Sequence, residues 1–188
     1  KLPVHISTQA SCLNIQAAKT WKRLGAKRII LGREVSLEEA GNIRKATGIE
    51  VELFVHGAMC TAYSGNCTIS NYTSGRDSNR GGCVQSCRFY YSEKKDSIVE
   101  KEFNSENFEE SNLIDSGNIK VNENTLENNS ASLLSSKDLR GIRLLPKYID
   151  NGIDCIKVEG RMKSALYAAT TTIAYSQALK WISLASRE

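Results

Sequence analysis

The sequence predicts an α/β protein built on a parallel sheet or barrel. Short runs rich in β-branched residues alternate with stretches whose apolar residues recur at helical spacing. Glycines stand where the helical stretches should stop. Polar side chains gather where the predicted strands end, which is where parallel α/β folds build their sites.

Val4-His5-Ile6-Ser7 reads as the first strand, and Leu13, Ala17, Ala18, Trp21 and Leu24 mark a helix that Gly25 can end. Arg28–Leu31 is the second strand. Ser36 and Glu39 match a capping box, each satisfying the other's free backbone N–H; the helix they open runs through Ile43 to about Ala46, with Gly48 as its cap. The third strand covers Ile49–Val55 and leads into a glycine-rich loop with four of the chain's six cysteines. From Ser92 to Ser132 the composition shifts to Asn, Glu, Ser and Lys without periodicity, which predicts a mobile acidic insertion with a weak hairpin around Ile119-Lys120-Val121. Ser136 is then expected to cap a helix carrying Leu139, Ile142 and Leu145, broken or restarted at Pro146 and continuing to Gly152. Asp154–Val158 is the fourth strand. Ser164 opens a last helix to about Leu184, with Leu166, Ile173 and Trp181 as its expected core contacts. The expected organisation is therefore 1–91 for the first elements and the cysteine loop, 92–132 for the insertion, and 133–188 for the final helix-strand-helix.

A chain of 188 residues can bury one ordinary core. It has no apolar run long enough to span a bilayer and no signal-peptide pattern, so a cytoplasmic protein with no membrane partner is expected. The opening Lys1-Leu2-Pro3-Val4, without an initiating Met, suggests a fragment or a processed chain. The net charge of +4 hides an asymmetry: ten acidic and four basic side chains lie between Glu93 and Ser130, leaving 21 basic and 11 acidic elsewhere. A basic remainder suits a partner carrying phosphate, and it equally suits an ordinary Lys/Arg-rich surface.

The strand ends supply candidates for chemistry. The first strand runs out into Ser7-Thr8-Gln9 and the second into Arg33-Glu34. The period of two puts Glu52, Phe54 and His56 on one face of the third, and Cys155, Lys157 and Glu159 on one face of the fourth, followed by Arg161 and Lys163. Singly, Glu52 or Lys157 can serve in a buried ion pair and His56 as a satisfied core histidine. Jointly they describe a polar, basic mouth for an anionic ligand. The cysteines are spaced Cys60-x6-Cys67-x15-Cys83-x3-Cys87, which is neither a zinc knuckle nor a ferredoxin run. Four thiolates on a flexible loop can still hold zinc or an iron–sulfur cluster, and soft sulfur ligands suit both. Arg76, Arg80 and Arg88 would offset their charge. Cys12 and Cys155 read as packing residues.

The run Glu52-x-Phe54-x-x-Gly57-Ala58-Met59-Cys60-x4-Gly65-x-Cys67-x-Ile69-Ser70 resembles the signature of the U32 peptidase (collagenase-like protease) family. The resemblance continues through Asn71–Asp77, Asn79–Cys83, Ser136–Leu139 and Lys157–Ser164, covering most of the chain outside the insertion. It implies the C-terminal half of a TIM-like (β/α) barrel, roughly strands five to eight. Such a half would pair with a missing N-terminal half-barrel or a partner subunit. It also implies iron–sulfur-dependent hydroxylation, of a tRNA wobble uridine, a ribosomal RNA cytidine or a ubiquinone precursor, with a 4Fe-4S cluster on four cysteines and prephenate as a co-substrate. Cys60, Cys67 and Cys83 fall on that pattern, and Cys87 matches the form of some branches. Arg140 stands where some relatives carry a cysteine. Glu52, His56, Lys157, Glu159 and Arg161 are then the catalytic candidates. Gln9, Arg33, Arg76, Arg80 and Lys163 are candidates for phosphate or an anionic co-substrate. RNA, the tRNA wobble uridine first, is the expected substrate, because the remainder is basic and there is no apolar stretch for a lipid tail. The family name also implies a peptidase, although Ser64 and Ser70 lack a visible His-Asp arrangement and a Cys60–His56 dyad would have to form across a glycine turn. A non-catalytic RNA-binding fragment is the third reading.

Overall fold

The structure is a computed structural model that describes residues 2–91 and 134–185. The chain divides into two compact units, residues 1–89 with 134–188, and residues 90–133. Apart from Tyr90 and Tyr91, the second unit lies outside the described residues, as do the expected acidic insertion and its hairpin.

The first unit is a mixed α/β structure. Its elements are β1 (His5–Ile6), α1 (Ile15–Arg23), β2 (Arg28–Ile30), α2 (Leu37–Thr47), β3 (Glu50–Gly57), α3 (Ile69–Ser74), β4 (Leu139–Arg140), α4 (Leu145–Asp150), β5 (Cys155–Glu159) and α5 (Ala165–Ala185). Strands β1, β2, β3 and β5 are neighbours in that order, all parallel. β4 runs antiparallel to the last two residues of β3, pairing His56 with Arg140 and Gly57 with Leu139.

Local chemistry fixes the helix ends. The Asn14 side chain accepts from the Ala17 N–H and caps α1. Ser36 and Glu39 make the full capping box on α2, which ends at Gly48 in the left-handed region.

The two faces of the sheet differ. Paired residues share a face, so Ile6, Ile29, Val51, Leu53, Ile156 and Val158 stand together, and all belong to or pack on the core. Ile29, Val51 and Val55 are fully buried there, each stabilising the fold by about 1.5–3 kcal/mol. The other face carries Arg28, Glu50, Glu52, Phe54, Cys155 and Lys157, none of which joins that core. Among the described residues no helix is long and apolar enough to cross a membrane.

Two sequence expectations are corrected. Ser136 does not cap a helix carrying Leu139: Leu139–Arg140 is a strand, Ile142–Leu144 a 3-10 turn, and the α-helix begins at Leu145 with Pro146 in its first turn. Pairing to the end of β3, including the Gly141 N–H to the Val55 carbonyl at 2.9 Å, overrides the helical spacing. Pro146 starts the helix, where its missing N–H costs nothing. In α5, Leu166, Ile173 and Trp181 are 72%, 68% and 63% exposed. The helix turns Thr171, Tyr175, Ala178, Leu179 and Ile182 inward instead. It is apolar on more than one side, so spacing alone could not choose the buried stripe; the Tyr175 hydroxyl, which finds the Val55 carbonyl at 3.2 Å, marks the one selected.

Candidate cysteine site

β3 ends at Gly57, whose φ of +98° excludes most side chains, and a Cβ there would stand 1.9 Å from the Glu159 carbonyl oxygen. That close approach lets β3 and β5 end side by side and releases the chain into the cysteine loop. The loop is held from inside by four buried serines, Ser64, Ser70, Ser78 and Ser86. The Ser78 hydroxyl donates to the Cys67 carbonyl at 2.7 Å, and the Ser70 hydroxyl accepts from the Val84 N–H at 3.3 Å. The Ser64 hydroxyl accepts from the Arg33 N–H at 3.1 Å, while its own N–H donates to the Glu34 carboxylate at 2.8 Å. Desolvation works to raise the Glu34 pKa, but the bonds from Ser64 and the neighbouring Arg33 outweigh it and hold it below the ordinary value.

Cys60, Cys67, Cys83 and Cys87 line one cavity of about 30 Å³, together with Gln9, Tyr63, Gln85 and the buried serines; no charged side chain shares its lining. Burial raises the Cys87 pKa first, Arg88 opposes it, and the neighbouring Cys60, Cys83 and Cys67 raise it further. As placed, no three His, Cys, Asp or Glu side chains among the described residues form a metal-holding group; the thiols share a cavity without meeting at a point. Four soft donors free of competing carboxylates nevertheless suit zinc or an iron–sulfur cluster.

The strand ends reach this cavity through three residues, Gln9, Glu159 and Arg161. Gln9 accepts from the Gly65 N–H at 3.2 Å and donates to the Ser78 carbonyl at 3.1 Å. Glu159 accepts from the Gln85 side chain and from the Arg161 N–H, both at 3.1 Å. The Arg161 guanidinium donates to the Cys83 carbonyl at 2.9 Å. Arg88 donates to the Met59 carbonyl, next to Cys60, and at 2.7 Å to Ser135 and the Ser136 carbonyl.

A second group lies on the polar face of the sheet. Glu52, 9% exposed, pairs with Arg28 at 3.4 Å and Lys157 at 3.7 Å. Arg33 stacks over the Phe54 ring at 4.3 Å, and Lys157 lies 5.4 Å from the same ring. Arg33, Phe54 and Met59 share a cavity of about 170 Å³ with apolar neighbours, and the Arg33 Nε is buried without a partner there among the described residues. Cys155 is half-buried beside Glu52, and Cys12 is fully buried, as a packing residue should be.

His56 does not share the face of Glu52 and Phe54. β5 pairs Phe54 with Lys157 but His56 with Val158, so Val55 is an extra residue on β3. This irregularity turns His56 toward α5, where its Nδ1 lies 3.1 Å from the Tyr175 hydroxyl and its ring packs beside Tyr167 and Tyr175. Lys163 is engaged at 2.9 Å with Asp138, whose pKa it lowers. Arg76 and Arg80 face solvent on the outer side of the loop, Arg80 reaching Asp77 at 3.4 Å. Ser78, Ser86 and Gln85 were not singled out from the sequence, Ser64 and Ser70 were weighed only as nucleophiles, and Glu34 was named only as the end of the second strand. The signal shared by the serines and Gln85 is a serine or amide repeatedly placed beside or between the cysteines.

Three relatives bear on this site. The chain is 40% identical over 176 residues to a Bacillus subtilis protein named tRNA hydroxylation protein P1, matching 94% of the chain and 37% of that protein. It is 33% identical over 178 residues to the Escherichia coli 23S rRNA 5-hydroxycytidine C2501 synthase, matching 95% of the chain and 23% of the relative. It is 29% identical over 189 residues to a Porphyromonas gingivalis protein named collagenase, matching 94% and 39%. The chain thus spans well under half the length of each relative. No solved structure matches it. Residues 1–187, cysteine loop and strand ends included, match the profile of peptidase family U32, and the chain belongs to that family.

Proposed function

We propose that the chain is part of an RNA-modifying protein that hydroxylates a base, the tRNA wobble uridine first, with a 4Fe-4S cluster on Cys60, Cys67, Cys83 and Cys87. The observation that carries this reading is the shared cavity of the four thiols at the strand ends. A bound cluster supplies one-electron redox chemistry at that point. The protein's own residues do the rest. Gln9, Gln85 and the serines hold the cysteine-bearing segments, and Arg161 and Arg88 fix the carbonyls of Cys83 and Met59. Glu52 keeps Lys157 beside Phe54 and Arg33, where an anionic co-substrate such as prephenate would find two cations against an aromatic ring. A cavity of about 30 Å³ suits a single ion, so a cluster requires the loop to spread, and the glycines at 65, 75, 81 and 82 permit that.

The relatives' names span tRNA and ribosomal RNA, which supports an RNA substrate, and a cytoplasmic location goes with that reading. The parallel order β1-β2-β3-β5, with its polar face outside the core, supports the second half of a TIM-like barrel completed by an N-terminal half or a partner subunit. One relative's name keeps the collagenase-like peptidase reading alive. Against it stands His56, which packs on tyrosines of α5 in place of serving Cys60.

Anaerobically purified protein should show a broad visible absorption with iron and sulfide near four each per chain. Both should fall below half in Cys60→Ser or Cys83→Ser. Stoichiometric zinc without sulfide would establish a zinc site instead, and collagen cleavage that survives iron removal would establish the peptidase.

A further inference from the structure

Residues 58–89 carry three arginines, no lysine and one acid, Asp77. Arg88 is turned inward onto Met59, Ser135 and Ser136, which leaves Arg76 and Arg80 outward. Arg80 is 88% exposed, and its surface pair with Asp77 is worth little. No carboxylate among the described residues pairs with Arg76. Two tyrosines of the same loop are also open to solvent. Tyr72, on α3, is 86% exposed, and Tyr63, 54% exposed, lines the cavity itself.

This surface is anchored to the cavity wall. Gly75 ends α3 in the left-handed region and returns the chain, so that the Arg76 N–H reaches the Ser70 carbonyl at 3.4 Å. A Cβ on Gly82 would lie 3.3 Å from the Arg76 Cβ, so the arginine stem packs beside the residue preceding Cys83. Open aromatic faces and exposed guanidinium groups on one short loop fit a strand whose bases are unstacked. In an A-form duplex the base faces are hidden, and Tyr72 would have nothing to stack on.

We propose that Tyr63, Tyr72, Arg76 and Arg80 form a docking surface for an unpaired RNA strand. Arg76 and Arg80 hold phosphates, a base stacks on Tyr72, and the base nearest the cavity rests on Tyr63. The inference builds on the RNA reading above and adds the mode of binding: a loop nucleotide is taken from single-stranded RNA.

The test is a fluorescence-anisotropy titration of the full chain with a labelled stem-loop RNA and with the same loop sequence closed into a duplex. Tyr72→Ala should weaken loop binding about 5- to 100-fold without changing the salt dependence, and Tyr72→Phe should restore it. Arg76→Ala and Arg80→Ala should each lower the slope of log affinity against log salt by about 0.7. Wild-type protein that binds the loop while all three alanine variants match it, or that binds the duplex equally well, overturns the surface and leaves the RNA reading standing. Wild-type protein that binds neither RNA overturns both. Displacement by an acidic peptide with no effect of Tyr72→Ala would assign the arginines to a protein partner and overturn the proposal. Tyr72 is almost wholly in water, so its variants should fold, which circular dichroism checks.

Discussion

Gln9 is 56 positions from Gly65 and 69 from Ser78, yet its amide bonds to both, one through oxygen and one through nitrogen. An uncharged amide offers an acceptor oxygen and a separate donor nitrogen on one group, which an ionised carboxylate does not. Gln9→Glu therefore sets an oxygen against the Ser78 carbonyl, and Gln9→Ala leaves both loop groups unpaired. Each should cost about 1–2 kcal/mol in urea unfolding and lower iron retention, with Gln9→Glu no better than Gln9→Ala. Unchanged iron content in both variants would remove Gln9 from the support of the site. The sequence marked Gln9 as a ligand contact because it stands at a strand end, and the structure adds its bonds to Gly65 and Ser78, which no local pattern names. The cysteines were legible for a simpler reason, since four thiols so close together have few ordinary uses. The serines were not legible, because an isolated serine gives no sign of whether its hydroxyl faces water or a buried carbonyl.

Among the elements, strand β3 explains most of the difference between expectation and structure. Its hydrophobic alternation located it to within two residues, and Glu52 and Phe54 fall on the polar face as the period of two requires. The extra residue at Val55 then reverses the parity, and His56 joins the tyrosines of α5. No composition rule announces such an irregularity, because Val-His-Gly is acceptable in a regular strand. The strand's last residue is the more sensitive point. In Gly57→Ala the new methyl would meet the Glu159 carbonyl and the backbone would be held at a φ that alanine resists. The variant should lose at least about 2 kcal/mol in urea unfolding and release the Gln85–Glu159 and Arg161–Cys83 contacts with the displaced end of β5. A Gly57→Ala protein as stable as wild type would show that β3 and β5 end farther apart than this.

At the scale of the molecule, alternating strands and helices predicted the parallel sheet, and the sequence could not say which charged residues would lock the layers together. Arg44 on α2 and Asp154 before β5 are 110 positions apart and form a two-point ion pair at 2.6 and 3.0 Å. The same carboxylate accepts from the Val51 N–H at 2.8 Å, so one side chain joins a helix to two neighbouring strands. Both side chains are about a third exposed or less, which leaves the pair only partly screened. Asp154→Ala should cost about 1–3 kcal/mol, a fall in Tm of roughly 2–12 °C for a chain of this size. Asp154→Asn keeps an oxygen for the Val51 N–H and should lose less. Arg44→Ala combined with Asp154→Ala should cost less than the two single losses added, because the second removal finds the pair already broken. Thermal unfolding of the four proteins separates the terms. Strictly additive losses would mean that Asp154 acts through the Val51 backbone alone and that the helix is held to the sheet by its apolar face.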